Sequence, residues 1–240
     1  MDATQPSSVK SVRAFRRFAP ALAAAAFATS ALATSGALDI TASTKLKEDH
    51  AGVVTIAADG VTLNCNGHRI SAPGADYALV ITGRAGITVK NCRLTGASGG
   101  LIVSNSTDLV IKENVATGNL LQGMGFINMT DSTVKDNRAS GNGGGEAFHF
   151  EFSSGNVVKD NTATNNAGTG YFVYGSDGNL FNENKASGNG GPGFFFLFSI
   201  NNVVKENSAC GQSTDLLVVY DEAVAGVNKF KENEFCTISQ

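Results

Sequence analysis

The sequence predicts an all-β chain wound as a single solenoid: about eight stacked coils, each of three short parallel strands, with a repeat of about 23 residues. Three observations carry that prediction. An asparagine recurs at Asn114, Asn137, Asn161, Asn184 and Asn207, in steps of 23, 24, 23 and 23 residues. Ala116, Ala139, Ala163, Ala186 and Ala209 keep the same steps. Between these columns lie short runs rich in β-branched and aromatic residues, broken by Gly, Asn and Ser-Gly, Asp-Gly or Asn-Asn pairs. Such runs favour strands, and such pairs favour turns. A two-helix repeat would need about 34 residues. The 28 Gly and the absence of Trp also suit repeated tight turns better than helices.

The chain opens on a different segment. Residues 1–17 are polar and end in Arg16-Arg17; a short apolar run, residues 18–27, follows, and then Ala31-Leu32-Ala33. A basic start, a short apolar core and a small-x-small site describe a secretory signal peptide, cleaved after Ala33. The run is well short of the roughly 20 residues of a membrane span. The expected organisation is a signal peptide over 1–33 and one solenoid domain over 34–240. No membrane span is expected after cleavage, and the destination is the periplasm or the exterior. Without residues 1–33 the balance is 14 Lys and Arg against 20 Asp and Glu. A chain this acidic, with no basic cluster, makes a poor nucleic-acid binder.

The repeat itself reads Val110-Ile-Lys-Glu-Asn-Val-Ala-Thr-Gly-Asn119, then Thr133 to Asn142, Val157 to Asn166, Leu180 to Asn189 and Val203 to Gln212. Looser copies lie at Val61 to Ile70 and Ile87 to Gly96, and a last one ends in Lys231-Glu-Asn233. Stacked coils place equivalent residues about 4.8 Å apart. Each Asn of the first column then lies over the next, its amide donating to a carbonyl of the coil below and accepting from the coil above. The alanines read as tight bends with room only for a methyl group. Lys112, Lys135, Lys159, Asn182 and Lys205 stack beside Glu113, Asp136, Asp160, Glu183 and Glu206, a solvated turn of interleaved charge.

The N-x-V-x-(K/E)-(D/E)-N-x-A-x-G-N pattern and the opening coil Ile56 to Ile70 resemble the right-handed parallel β-helix proteins, in particular the exported NosD-like and pectate-lyase-like group. The resemblance spans about residues 38–236. It implies the fold and leaves the activity open, because lyases, hydrolases, epimerases, adhesins and assembly factors share this architecture.

Four cysteines in an exported chain permit disulfides. Cys210 and Cys236 occupy the same column of adjacent coils, within disulfide reach. Cys65 and Cys92 lie in adjacent early coils, one position out of register. The expected pairs, Cys65–Cys92 and Cys210–Cys236, clamp the two ends of the solenoid.

The third strand of each repeat holds the candidate site. Aligned by period, Leu101, Met124, Phe148, Tyr171, Phe194 and Leu217 point inward, as do Val103, Phe126, Phe150, Val173, Phe196 and Val219. The positions between them face out and are unusually apolar: Ile127, Phe172, Tyr174, Phe195, Leu197, Val218 and Tyr220 surround His149 and Glu151. Three readings compete for this stripe. It binds a polysaccharide or other envelope component on stacked aromatic rings. It is an interface with an envelope protein or a second copy of the chain. Or residues 34–50, or the loop 221–228, cover it. The favoured function is non-catalytic glycan binding through Ile127, His149, Glu151, Phe172, Tyr174, Phe195, Leu197 and Tyr220. A polysaccharide-active enzyme would use His149 and Glu151 for acid–base work, with Tyr174, Glu146 and Asp177 nearby. The paired Asp motifs of polygalacturonases and the Asp-Pro-His-Glu motif of alginate epimerases do not occur here. No cofactor is expected. No metal site is expected either, since His50, His68 and His149 lie far apart in sequence and the cysteines are committed to disulfides.

Overall fold

In the computed structural model, which describes residues 34–220 and 227–239, the chain is a parallel β-solenoid with no helix among the described residues. The expected signal peptide, 1–33, lies outside them. Every strand pairing is parallel, and the strands form three sheets of ten, ten and nine strands. One coil illustrates the order. Thr162–Thr164 belongs to sheet A, Tyr171–Tyr174 to sheet B, and Leu180–Asn182 to sheet C. Eight coils of this kind, from His50–Ala51 to Lys229–Lys231, are stacked between a first coil (residues 34–45) and a last one (residues 234–239). The third strand of the sequence repeat is the sheet B strand.

Within the solenoid the strands alternate as the pleat requires. Phe126, Phe148, Phe150, Tyr171, Phe194 and Phe196 are fully buried. Their rings continue from coil to coil: Phe148 to Tyr171 at 4.9 Å and Tyr171 to Phe194 at 4.5 Å, both stacked nearly parallel. Offset-stacked aromatics contribute beyond their buried area, so these columns tie successive coils of sheet B together.

The asparagine ladder is present and carries more bonds than expected. Asn137 Oδ1 accepts from both Asn114 N and Asn114 Nδ2 at 3.0 Å. Asn137 Nδ2 donates to Ile111 O at 2.8 Å and to Asn161 Oδ1 at 3.0 Å. The oxygen therefore accepts from the coil below, not from the coil above as expected, and the amide donates both down and up. The same pattern runs through Asn161, Asn184 and Asn207 to Asn233. It lies at the corner between sheets C and A.

Each of the other two corners has its own ladder. Asn119, Asn142, Asn166 and Asn189 link coils between sheets A and B. Asn156, Asn179, Asn202 and Asn228 do so between sheets B and C, beside a file of buried serines, Ser153, Ser176 and Ser199. These buried amides satisfy backbone groups that leave the sheet at a corner.

Two local expectations change. The alanine column lies within sheet A strands, not at bends: Ala116, Ala139 and Ala186 are the middle residues of Val115–Thr117, Arg138–Ser140 and Lys185–Ser187. What limits their size is a glycine on the facing stretch. A Cβ built on Gly123 would lie 2.8 Å from the Ala139 methyl, and one on Gly193 2.7 Å from that of Ala209. The bend itself falls earlier, at Glu113, Asp136, Asp160, Glu183 and Glu206, which take left-handed φ of 54–56°. Their carboxylates meet the lysine row, as Lys159 Nζ to Glu183 at 2.9 Å shows. That contact raises the pKa of Lys159 and lowers that of Glu183.

The register of the last sheet B strand also differs. Phe194 pairs with Leu216 and Phe196 with Val218. Leu216 and Val218 are therefore the buried residues, whereas Val219 is 37% exposed and Leu217 half-buried. The connection from Cys210 to this strand is one residue shorter than its counterpart after Ser187, and Asp215 takes the place of Gly193. A one-residue slip turns every side chain to the other face. Val218 is thus lost from the outward stripe, and Leu217 and Val219 join it.

Both disulfides form, with Cα separations of 4.7 Å for Cys65–Cys92 and 5.3 Å for Cys210–Cys236.

Candidate functional site

The outward face of sheet B gathers most of the predicted residues. In-register pairing places Ile127 beside Glu151, Glu151 beside Tyr174, and Tyr174 beside Leu197. His149, Phe172 and Phe195 form the parallel row. All seven are half-buried. Tyr220 is exposed but lies one position past the end of its strand, opposite Phe198 rather than Leu197. Asp177 does not join the group; it accepts from Ile200 N at a corner. Residues 34–50 do not cover the face, because they build the first coil and enter the second. Most of the loop 221–228 lies outside the described residues.

The rings of the stripe touch. Phe172 and Tyr174 lie parallel, with centroids 6.3 Å apart, and Phe195 packs on Phe172 at 5.2 Å. Two aromatics that the strand pattern did not mark, Phe152 and Phe198, bracket Tyr174 at 5.2 and 6.2 Å. They are 51% and 47% exposed and take left-handed φ of 47° and 50° just after their strands. Gly175 lies between them. A Cβ there would meet the Phe152 ring at 2.8 Å, so the missing side chain is what lets that ring reach Tyr174. An interior glycine at a close approach is the sequence signal that could have found this pair.

A polar chain adjoins the aromatic rows. Tyr77 lies over Gly99, where a Cβ would overlap its ring. The Tyr77 hydroxyl donates to Gln122 Oε1 at 3.2 Å. Gln122 crosses Gly125, another position where a Cβ would collide, and Nε2 donates to His149 Nδ1 at 2.9 Å. That donor needs the Nδ1 lone pair, so the neutral ring carries its proton on Nε2. This proton faces Glu151 Oε2, 3.7 Å from Nε2, while Glu146 Oε2 lies 3.6 Å from Nδ1. No hydrogen bond satisfies the buried Nε2. Phe172 holds the ring edge-on at 5.1 Å.

Beside this chain opens a cleft of about 460 Å³, lined among others by Asp76, Tyr77, Leu121, Gln122 and Glu146. Burial raises the pKa of the Tyr77 hydroxyl, and the charges of Asp76 and Glu146 raise it further. The sequence reading missed Tyr77 and Gln122, which reach the site only because two glycines make way.

Metal ligands are scarce. The one close group among the described residues, Cys210, Asp215 and Cys236, includes both halves of a disulfide, which leaves no thiolate to bind a cation.

The sequence matches the right handed beta helix region over residues 32–185 and 77–235. The chain belongs to the right-handed β-helix family. The solenoid described above is accordingly right-handed, as the repeat resemblance implied. No curated protein sequence matches the chain. Among solved structures this β-helix is similar to the periplasmic alginate epimerase AlgG. The TM-score is 0.58 at 15% identity, covering 80% of this chain and 51% of that one. It is also similar to the A-module of the mannuronan C-5 epimerase AlgE4 from Azotobacter vinelandii (0.52, 14%, 82% and 76%) and to the Dettilon tailspike protein (0.50, 11%, 82% and 61%). At these identities the likeness is one of fold. The β-helix spans about half the length of the AlgG structure.

Proposed function

We propose that this chain is an exported β-helix protein that binds a polysaccharide along the outward face of sheet B. One observation carries the reading: aromatic rings in mutual contact, from Phe152 and Tyr174 to Phe172, Phe195 and Phe198, on a strand face that an ordinary solvated surface would make polar. Such a row offers flat apolar area to the faces of successive sugar rings, and His149, Glu151 and Gln122 supply hydrogen bonds at its side. The similar epimerases support a polysaccharide ligand only in the broad sense, since by name they act on alginate or mannuronan, and the charge of the ligand is a separate question. Export through residues 1–33, with cleavage after Ala33, belongs to this proposal. The two disulfides agree with an oxidising destination, and Thr34 at the amino terminus of the exported protein would test it.

The experiment is affinity electrophoresis through gels cast with different polysaccharides, with the Phe172→Ala/Tyr174→Ala variant alongside. Retardation by a glycan that the variant loses supports binding on this face. A protein that migrates freely through every gel, but forms a concentration-dependent dimer or captures an envelope protein through these residues, points to the interface reading instead.

The chain from Tyr77 through Gln122 to His149, with a carboxylate near each ring nitrogen, favours a second reading as a polysaccharide-active enzyme. In that reading His149 moves a proton at the reacting bond, and Glu146 and Glu151 steady its charged form. Turnover of the bound glycan that Glu151→Gln or His149→Ala abolishes, while binding persists, would select it.

A further inference from the structure

The charges of the solenoid are sorted by sheet. In the described strands of sheet C, eight lysines stand with no acidic residue: Lys45, Lys90, Lys112, Lys135, Lys159, Lys205, Lys229 and Lys231. Sheet A carries Arg69, Arg93, Arg138 and Lys185. The ten strands of sheet B contain neither Lys nor Arg, and their only charged or titratable polar residues besides Tyr are Asp39, His149 and Glu151. The cleft beside the aromatic rows repeats this bias, with Asp76 and Glu146 in its lining and no cation. A polyanion brought to this face would meet Glu151 within the stripe and the Asp76 and Glu146 carboxylates beside it, with no Lys or Arg in the sheet B strands to neutralise it. A neutral glycan would leave those carboxylates to water.

We infer that the polysaccharide taken by this face is built from amino sugars with free ammonium groups, which pair with Glu151 and with Asp76 and Glu146 in the cleft. The inference rests on the glycan-binding reading and adds the charge of the ligand to it. The geometry suits such a ligand twice over. Glu151 stands beside Tyr174 in register, so an ammonium on a sugar stacked against the ring meets a carboxylate at its edge and the ring's negative face below it. The cleft lies on the far side of His149, reached through Gln122, whose amide contacts both His149 and Glu146. A chain lying across the stripe therefore has an acidic pocket at one end. Asp76 and Glu146, whose charges add to burial in raising the Tyr77 pKa, are the carboxylates an ammonium in the cleft would meet.

The test is isothermal titration of the purified protein, at mildly acidic pH and low salt, with three hexasaccharides: glucosamine, N-acetylglucosamine and mannuronate. The glucosamine hexamer should bind about tenfold more tightly than its N-acetylated form, as expected for one charge-assisted contact, and the mannuronate hexamer weakest. Added salt should narrow the difference. Glu146→Gln/Glu151→Gln, which keeps the side-chain shapes, should bring the two glucosamine-based affinities together. Phe172→Ala/Tyr174→Ala should weaken both. Equal or tighter binding of the N-acetylated or mannuronate hexamer overturns this inference and leaves glycan binding standing. Binding of none of the three overturns this inference, and free migration through every polysaccharide gel is what overturns glycan binding as well.

Discussion

Asn161 offers a direct test of what holds the coils together. Its Oδ1 accepts from Asn137 N and Asn137 Nδ2, and its Nδ2 donates to Val134 O at 2.8 Å and Asn184 Oδ1 at 3.0 Å. The residue is fully buried. Asn161→Ala removes all four bonds and leaves the buried Asn137 N–H without its acceptor. An orphaned buried donor costs about 2 kcal/mol and each of the three lost amide donations about 1, for a total of about 5 kcal/mol. For a chain of this size that lowers the melting midpoint by about 10 °C. Asn161→Asp keeps an acceptor for Asn137 but sets a carboxylate against the Val134 carbonyl and Asn184 Oδ1, so it should do no better. Lys135→Ala, on the half-exposed lysine row of the neighbouring coil, should cost no more than about 0.5 kcal/mol. Thermal unfolding followed by far-ultraviolet circular dichroism separates these cases. A loss below about 1 kcal/mol for Asn161→Ala, or equal losses for Asn161→Ala and Lys135→Ala, would refute the claim that the ladder carries the corner.

Three further outcomes are expected. Val218→Asp should destabilise by about 3 kcal/mol or more, since it buries a charge, whereas Val219→Asp should change the melting midpoint little; the reverse order would mean the last strand keeps the unslipped register. Cys210→Ala/Cys236→Ala, opening a closure of 26 residues, should cost about 2–4 kcal/mol, with faster amide exchange confined to residues 227–239; uniform acceleration along the solenoid would contradict an end clamp. The Arg69 backbone N–H, bonded to Asp49 Oδ1 at 2.9 Å, lowers the Asp49 pKa below its usual 3.8, helped by the Arg69 and His68 charges and opposed by burial. A depressed carboxylate stabilises the fold above its unfolded pKa and loses that contribution as pH falls through its folded value. Asp49→Asn should therefore lower stability slightly near neutral pH and make it less steep below about pH 4, as acid titrations of the two proteins would show.

Much of this fold was legible in the sequence because a solenoid repeats its solution. Asn114 to Asn207 recur at almost constant steps, and a constant step with a buried amide has few physical readings. The Cys210–Cys236 disulfide followed from the same register, and Cys65–Cys92 from adjacency of coils one position out of it. What failed did so where the period was assumed rather than read. The repeat step applied to Leu217 put Val218 outside, and the single residue missing before Asp215 put it inside. The alanines were misplaced for a related reason: the facing glycines that limit them come from the following strand segment and leave no mark in the alanine column. Tyr77, Gln122, Phe152 and Phe198 were missed because each reaches the site sideways across a glycine or from a left-handed turn residue. Strand alternation does not describe such paths.

The ladders also bear on why the sheet B face calls for a functional explanation. Each of the three corners is fastened by buried amides or hydroxyls, and the interior of each sheet by its own apolar columns. Outward strand positions thus carry little of the fold's stability and are free to be polar. Sheet C uses that freedom for lysines alternating with aliphatic residues such as Val110, Val157, Leu180 and Val203, and sheet A for arginines and small polar residues. Sheet B alone sets aromatic rings, Phe172, Tyr174 and Phe195, in such positions, beside Ile127 and Leu197, and places its few charges among them. Packing within one coil stack does not require those rings, since the equivalent positions of the other two sheets do without them. A requirement absent from the fold but repeated over successive coils is what an extended ligand, contacted once per coil, would impose.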